Sequence, residues 1–254
     1  MASDWKTAQK NEQKFWEDIF INKKPDDVYS KNDSIAWELF TLEVIKRHKI
    51  EKELLNDKVI LDLGSGPAGI AKGLELLIEK NVLNNSSIIA VDPLMDFYKN
   101  EIGILKESQN LKLLSNKGEN IDVSDNSVDI IFSTNVLDHC DKPEEVIKEC
   151  FRILKPGGLF FPSVHLVYDY LKPFSKLIKY FDKNHPNHFF LEHMIKKFKD
   201  SSFECNVASK YTIQQDQKLF SFKNIFKSKD KFRALKRYLS NLVLYTCYFV
   251  VKKK

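Results

Sequence analysis

Between Val59 and Val164 the chain repeats one arrangement: a short apolar run rich in β-branched residues, a break, then a segment of helical period. Short continuous apolar runs suit strands buried on both faces, as in a parallel sheet covered by helices. "KVILDLG", "SIIAVDP", "LKLLS", "VDIIFST" and "LFFPSV" read as such strands. "AGIAKGLELLIEK", "MDFYKNEIGILK" and "KPEEVIKECFRIL" read as the intervening helices, and "KPGG" as a turn. Two further strands, "FECNVASKYTI" and "LVLYTCYFVVKK", are expected to form an antiparallel hairpin-like edge. The expectation is therefore an α/β fold: a doubly wound sheet of seven strands, mostly parallel, with the last strand antiparallel. Ligands of such sheets sit beyond the carboxyl ends of the strands, which would gather Asp62 to Gly66, Asp92, Asn135 and His165 on one rim.

Ahead of this pattern, residues 4–21 read as a helix with Trp5, Phe15, Trp16, Ile19 and Phe20 on one face. A second helix runs from about Asp33 to His48, with Ser34 as its cap and Ile35, Leu39, Leu42 and Ile45 along one side. Residues 1–56 are thus expected to form a helical lid, and 57–254 a ligand-binding domain with a basic insertion at about 215–240. At 254 residues and 43% hydrophobic content, the chain can bury a core of that size and is not disordered. The polar start "MASDWKTAQKNEQKFW" has no secretory apolar core, and "LVLYTCYFVV" is too short to span a bilayer as a helix. Cys140, Cys150, Cys205 and Cys247 show no paired spacing; reduced thiols and a cytoplasmic location are expected, without a zinc site.

The glycine loop Gly64-Ser65-Gly66-Pro67-Ala68-Gly69 matches the dinucleotide fingerprint G-x-G-x-x-G. That fingerprint aims amides and a helix N-terminus at a pyrophosphate. Here Asp62 stands two residues before the first glycine, where a carboxylate repels a pyrophosphate and attracts an ammonium. Pro67 removes an amide donor while suiting the first turn of the next helix. Asp92 closes the second strand, where it can accept hydrogen bonds from ribose hydroxyls. The loop chemistry fits a ligand with a ribose, an adenine and an amino-acid ammonium but no phosphates, namely S-adenosylmethionine.

Over residues 57–165 the chain resembles the class I S-adenosylmethionine-dependent methyltransferases, whose fold is Rossmann-like. "VILDLGSGPAG" is similar to their first motif, "IIAVDPL" to the acidic second and "GENIDVSDNSVDIIFSTNVLDHC" to the segment closing over adenine. "VIKECFRILKPGGLFF" is similar to the helix, turn and fifth strand that follow. The resemblance implies that Asp62, Gly64, Ser65 and Gly66 line the methionine end. It also implies that Asp92, Pro93 and Leu94 form the second contact, with Asp92 on the ribose hydroxyls and Leu94 against adenine. Gly118 and Glu119 fall at the adenine edge, although Lys117 stands where an Asp is common. Asn135 is expected among the cofactor-binding residues. The Asn-Pro-Pro-aromatic pattern of methyltransferases acting on adenine or glutamine nitrogens is absent, because Val136, Leu137 and Asp138 follow. Asp138 itself replaces the more usual Glu.

Methyl transfer to a hydroxyl needs an acceptor held in line and a base for its proton. His165, after the fifth strand, is a candidate base or acceptor ligand; His139, after the fourth, is a candidate catalytic residue or a loop-fixing one. His185 and His188 in "DKNHPNHFF" lie beside Asp182, with Pro186 between them and no third ligand, so no metal is expected. Residues 218–237 carry eight Lys or Arg against Asp230 and interleave four Phe. They form either a solvated helix face or a contact for an anionic ligand or a membrane surface; nucleic acid is not expected as a partner. The expected activity is O-methylation of a small molecule or sugar-like precursor, of surface polysaccharide or secondary metabolism. The alternatives are C-methylation of a quinone- or lipid-like acceptor and a non-catalytic S-adenosylmethionine-binding protein.

Overall fold

The computed structural model describes residues 5–21, 34–67, 69–103, 105–175, 178, 187–212 and 243–254. The basic segment 218–237 and the Asp182–His185 part of the histidine cluster lie outside the described residues. Seven strands form one sheet: β1 (Val59–Leu63), β2 (Ser87–Val91), β3 (Leu111–Leu114), β4 (Val128–Thr134), β5 (Leu154–Val167), β6 (Phe203–Thr212) and β7 (Leu244–Lys253). Their spatial order is β3-β2-β1-β4-β5-β7-β6. The first five run parallel, and β7 is antiparallel to both β5 and β6. The expected fold is thus present, with β7 inside the sheet and β6 at its edge.

Helices cover both faces. On one side α2 (Ser34–Arg47) and α3 (Gly69–Glu79) pack Val44, Ile45, Ile70 and Leu74 against Ile60, Ala90, Ile130 and Phe132. On the other, α5 (Pro143–Ile153) and α6 (Leu191–Asp200) pack Val146, Cys150, Met194 and Phe198 against Leu61, Ile131, Phe160 and Phe249. The α5 helix begins with Pro143 and carries Glu144 and Glu145 in its first turn, favourable for helix geometry and dipole. At its other end the Lys253 ammonium, only 7% exposed, donates to the carbonyls of Phe151 (2.6 Å) and Leu154 (2.7 Å) and to Asn126 Oδ1 (2.7 Å).

Three local expectations are corrected. Leu39 is 60% exposed; the inward face of α2 is Thr41, Val44 and Ile45, with His48 buried just beyond its end, because those positions meet α3 and the sheet. The helix after β2 is short, with α4 (Met95–Phe97) passing into a π turn that Gly103, at φ 72°, ends. "KPGG" is no separate turn but an irregular start to β5, where Gly157 has φ 75° and the β4–β5 register shifts between Val128 and Ile130. In the N-terminal helix, α1 (Trp5–Trp16) with its π extension Glu17–Ile21, Trp16 and Ile19 are buried while Phe15 is 38% exposed.

The α2–α3 crossing is closest at Gly73, where an added Cβ would lie 2.6 Å from the Trp37 carbonyl oxygen and also meet Thr41 Oγ1. Ala in place of Gly normally stabilises a helix interior by about 0.5–1 kcal/mol. Here overpacking reverses the sign, and Gly73→Ala is expected to destabilise by about 1–3 kcal/mol in urea unfolding.

Candidate functional site

Strand order reverses between β1 and β4, so the loops leaving these two strands diverge and open a crevice above the sheet. The glycine loop lines one side of it. Gly64 (φ 68°) and Gly66 (φ 56°) are both left-handed, and a Cβ on Gly64 would lie 2.7 Å from Val136 Cγ1, on the loop after β4. The amides of Gly64 and Ser65 donate to the Val91 carbonyl at 2.8 and 3.1 Å, and Ser65 Oγ donates to the Gly66 carbonyl at 3.2 Å.

Two buried carboxylates organise this loop. Asp62 Oδ2 accepts the Ala71 amide at 2.8 Å, capping the start of α3. Asp92 Oδ2 accepts the Gly66 amide at 3.0 Å and its Oδ1 the Leu94 amide at 2.8 Å, tying the end of β2 to the glycine loop. Among the described residues no ion pair joins either carboxylate. Burial pushes the Asp62 carboxyl up to about 7 and that of Asp92 up to about 6; amide hydrogen bonds oppose the shift in both, and Asp92 adds repulsion at Asp62. Burial thus favours the protonated form of both carboxyls in the ligand-free chain.

The α1 helix lies across the site. A Cβ on Gly66 would sit 3.7 Å from the Trp16 ring, and Trp16 Nε1 donates to Glu12 Oε1 at 2.8 Å. Trp16 and Ile19 pack on Tyr98, Leu94 and Phe97. Lys117 Nζ stands 3.8 Å from the centroid of the Trp5 ring, so the helix reaches the segment before Gly118 as well. Pro93, Leu94, Gly118 and Glu119 are half-buried. Gly118 abuts Val146 and Leu63, and Glu119 Oε1 accepts the Lys142 amide at 3.2 Å.

Across the crevice, Asn135 has φ 62° and donates its amide to the Ser163 carbonyl at 2.9 Å. Its side-chain Nδ2 bonds His165 Nε2, and His165 Nδ1 lies 3.1 Å from Thr246 Oγ1 on β7. The hydroxyls of Ser133, Thr134 and Ser163 and the Asn135 Oδ1 are buried and find no hydrogen-bond partner among the described residues. His139 lies on the loop after β4, with Nε2 3.9 Å from Asp138 Oδ2. Asn187 docks onto that loop, its amide donating to the Asp138 carbonyl and its Nδ2 to the Cys140 carbonyl at 2.7 Å. Among the described residues no group of three or more His, Cys, Asp or Glu is placed to hold a metal ion, and no helix is long and apolar enough to cross a membrane. Thr246 and Glu12 are site neighbours that pattern reading missed, whereas Trp16 belongs to the aromatic face expected of the N-terminal helix. One signal existed for Thr246, the lone short hydroxyl in the apolar run "LVLYTCYFVV".

Residues 61–161 match the methyltransferase domain family model. Over 138 residues the chain is 30% identical to malonyl-[acyl-carrier protein] O-methyltransferase of a Marinomonas species, covering 54% of this chain and 48% of that protein. Over 142 residues it is 29% identical to a thiol S-methyltransferase of Rattus norvegicus, covering 54% and 53%. The chain therefore spans about half the length of the curated relatives it matches. Among solved structures, the [4+2]-cyclase SpnF superposes with a TM-score of 0.68 at 14% identity, over 99% of this chain and 97% of that one. Residues 61–161 thus resemble a methyltransferase domain, and the fold is like that of the solved structure. S-adenosylmethionine is the cofactor indicated, and two buried carboxylates with no cation beside them among the described residues suit a positively charged ligand better than a pyrophosphate.

A carboxyl raised above its ordinary value of 3.8 binds its proton more tightly in the folded than in the unfolded chain. Its stability contribution is full below about pH 4 and is lost as pH rises through the folded value. The cofactor-free protein is therefore expected to lose stability between about pH 4 and pH 7 through Asp62 and Asp92. Asp62→Asn is expected to raise stability at pH 8 by about 1–3 kcal/mol and to flatten that part of the profile, measured by urea unfolding at about pH 4 and pH 8.

Proposed function

We propose that this chain transfers the methyl group of S-adenosylmethionine to a hydroxyl oxygen of a small, sugar-like or secondary-metabolite acceptor, with His165 as the base. The observation that carries this is the meeting of His165 and Asn135 at the carboxyl ends of β5 and β4, beside β1 and the glycine loop that the two buried carboxylates organise. An imidazole there suits an oxygen nucleophile, which must lose a proton as it attacks. The O-methyltransferase from Marinomonas supports oxygen over the sulfur named for the rat relative.

Asp62 with Gly64, Ser65 and Gly66 would hold the amino-acid end of the cofactor. Asp92 would turn to the ribose, with Pro93 and Leu94 beside it, and Gly118 and Glu119 would meet the adenine edge. Asn135 stands between this pocket and His165, so it belongs to the acceptor side as much as to the cofactor. Bound S-adenosylmethionine supplies an electrophilic methyl on a sulfur that leaves as a thioether. His165 Nε2 would take the hydroxyl proton, while His139 borders the same opening. The α1 helix, with Trp16 over Gly66, would exclude water as the lid of residues 1–56 over the domain of residues 57–254. Free thiols at all four cysteines are in keeping with a cytoplasmic enzyme.

Calorimetric titration with S-adenosylmethionine, S-adenosylhomocysteine and NAD in parallel tests the reading. Binding of the first two and not of NAD is expected; binding of NAD alone would overturn it. Hydrogen bonds to a charged acceptor contribute about 1.5–3 kcal/mol each, so Asp92→Asn is expected to weaken cofactor binding at least about tenfold. Once an acceptor is in hand, His165→Ala is expected to lower kcat far more than it weakens cofactor binding. Equal turnover would remove His165 from the reaction.

A further inference from the structure

Glu12 stands where the helix that crosses the crevice meets the end of β2. Its Oε1 accepts a hydrogen bond from Trp16 Nε1 at 2.8 Å, one turn further along α1. The Trp16 ring lies 3.7 Å from where a Cβ on Gly66 would sit, and the Gly66 amide donates to Asp92 Oδ2 at 3.0 Å. The carboxylates of Glu12 and Asp92 are thus linked through one indole ring and one backbone amide. Tyr98 completes the corner. It packs with Trp16 and Ile19, is 1% exposed, and has Asp92 and Glu12 as the two charged groups acting on its hydroxyl. Among the described residues that hydroxyl makes no hydrogen bond, although burying an O–H without a partner is costly.

Packing alone accounts for neither side chain. Gln at position 12 would accept from Trp16 Nε1 equally well and has a similar helix propensity, without bringing a second negative charge towards Asp92. Burial does most to raise the Asp92 carboxyl, its amide hydrogen bonds oppose the shift, and repulsion by Glu12 adds to it. Phe at position 98 would fill the same space without an unpaired hydroxyl. We propose that Glu12 is a binding residue of the crevice, which together with Asp92 and Tyr98 takes the adjacent hydroxyls of the ligand's ribose. This rests on the S-adenosylmethionine reading under the proposed function. Each ribose hydroxyl would donate to one carboxylate, leaving its lone pairs open to the phenol. Placing one of the two carboxylates on α1 makes the helix a holder of the ligand as well as a cover. Without ligand, Glu12 and Asp92 repel each other; a diol between them replaces that repulsion with charge-assisted hydrogen bonds, so ligand binding and α1 docking reinforce each other.

Calorimetric titration of the full chain with S-adenosylhomocysteine, and with the two analogues that each lack one ribose hydroxyl, tests this. The native protein is compared with Glu12→Gln, which keeps an acceptor for Trp16. Loss of the charge-assisted bond is expected to weaken S-adenosylhomocysteine binding about tenfold. For one of the two analogues Glu12→Gln is expected to change nothing, because the hydroxyl that Glu12 meets is already gone. An equal loss for all three ligands overturns the proposal, since it would come from overall charge or from helix docking. Tyr98→Phe, which keeps the ring in its packing, gives the same comparison should Glu12→Gln fail to fold. It is expected to weaken S-adenosylhomocysteine more than the analogue lacking the hydroxyl it meets, and an equal loss again overturns the proposal. Failure of the native chain to bind S-adenosylhomocysteine sinks the methyltransferase reading, whereas native binding that Glu12→Gln leaves intact sinks this inference alone.

Discussion

Two carboxylates removed from water hold the crevice together. Asp62 caps the first turn of α3, and Asp92 ties the Gly66 and Leu94 amides to the end of β2. Through them α3, the glycine loop and the second strand are tied together. Neither carboxylate has a described cation beside it, so burial raises both proton affinities and the folded chain carries a cost that a positively charged ligand would relieve. Ligand affinity and the instability of the ligand-free protein are thus two aspects of the same arrangement.

The opposite wall of the crevice follows a different principle. Its polar groups include an amide, an imidazole and several hydroxyls drawn from β4, β5 and β7. Buried carboxylates on one side and these groups on the other divide the crevice by chemistry as well as by position. The α1 helix bridges part of it, with Trp16 at the glycine loop and Trp5 against Lys117.

The half of the site built from local signals was legible in the sequence. Gly64, Gly66, Asp62 and Asp92 each sit at the end of a short β-branched run, so strand period and parallel topology bring them to one rim. The α2 face was misread because Thr41 and His48, polar by type, point inward, Thr41 at the close crossing with Gly73 and His48 against Phe132, Phe161 and Tyr248, while Leu39 is left outside. Thr246 escaped because its meaning depends on a cross-strand partner 81 positions away, and no periodicity within β7 specifies that register. The contact of α1 with Asp92's surroundings escaped for the same reason: an aromatic stripe shows that a helix docks, not where.

The position of β7 has a kinetic consequence. β6 precedes β7 in the chain yet lies outside it in the sheet, and the two are separated by the whole interval from Thr212 to Leu244. Until β7 has docked on β5, β6 has no ladder to join, His165 has no Thr246, and the carbonyls at the end of α5 have no Lys253. Such long-range pairing closes late because loop entropy must be overcome before any contact compensates it. The parallel strands β1 to β4 can therefore assemble first. His165 meets its β7 neighbour only in the closing event of the sheet, so a partly folded chain could have its glycine loop in place while the opposite wall of the crevice is still unfinished.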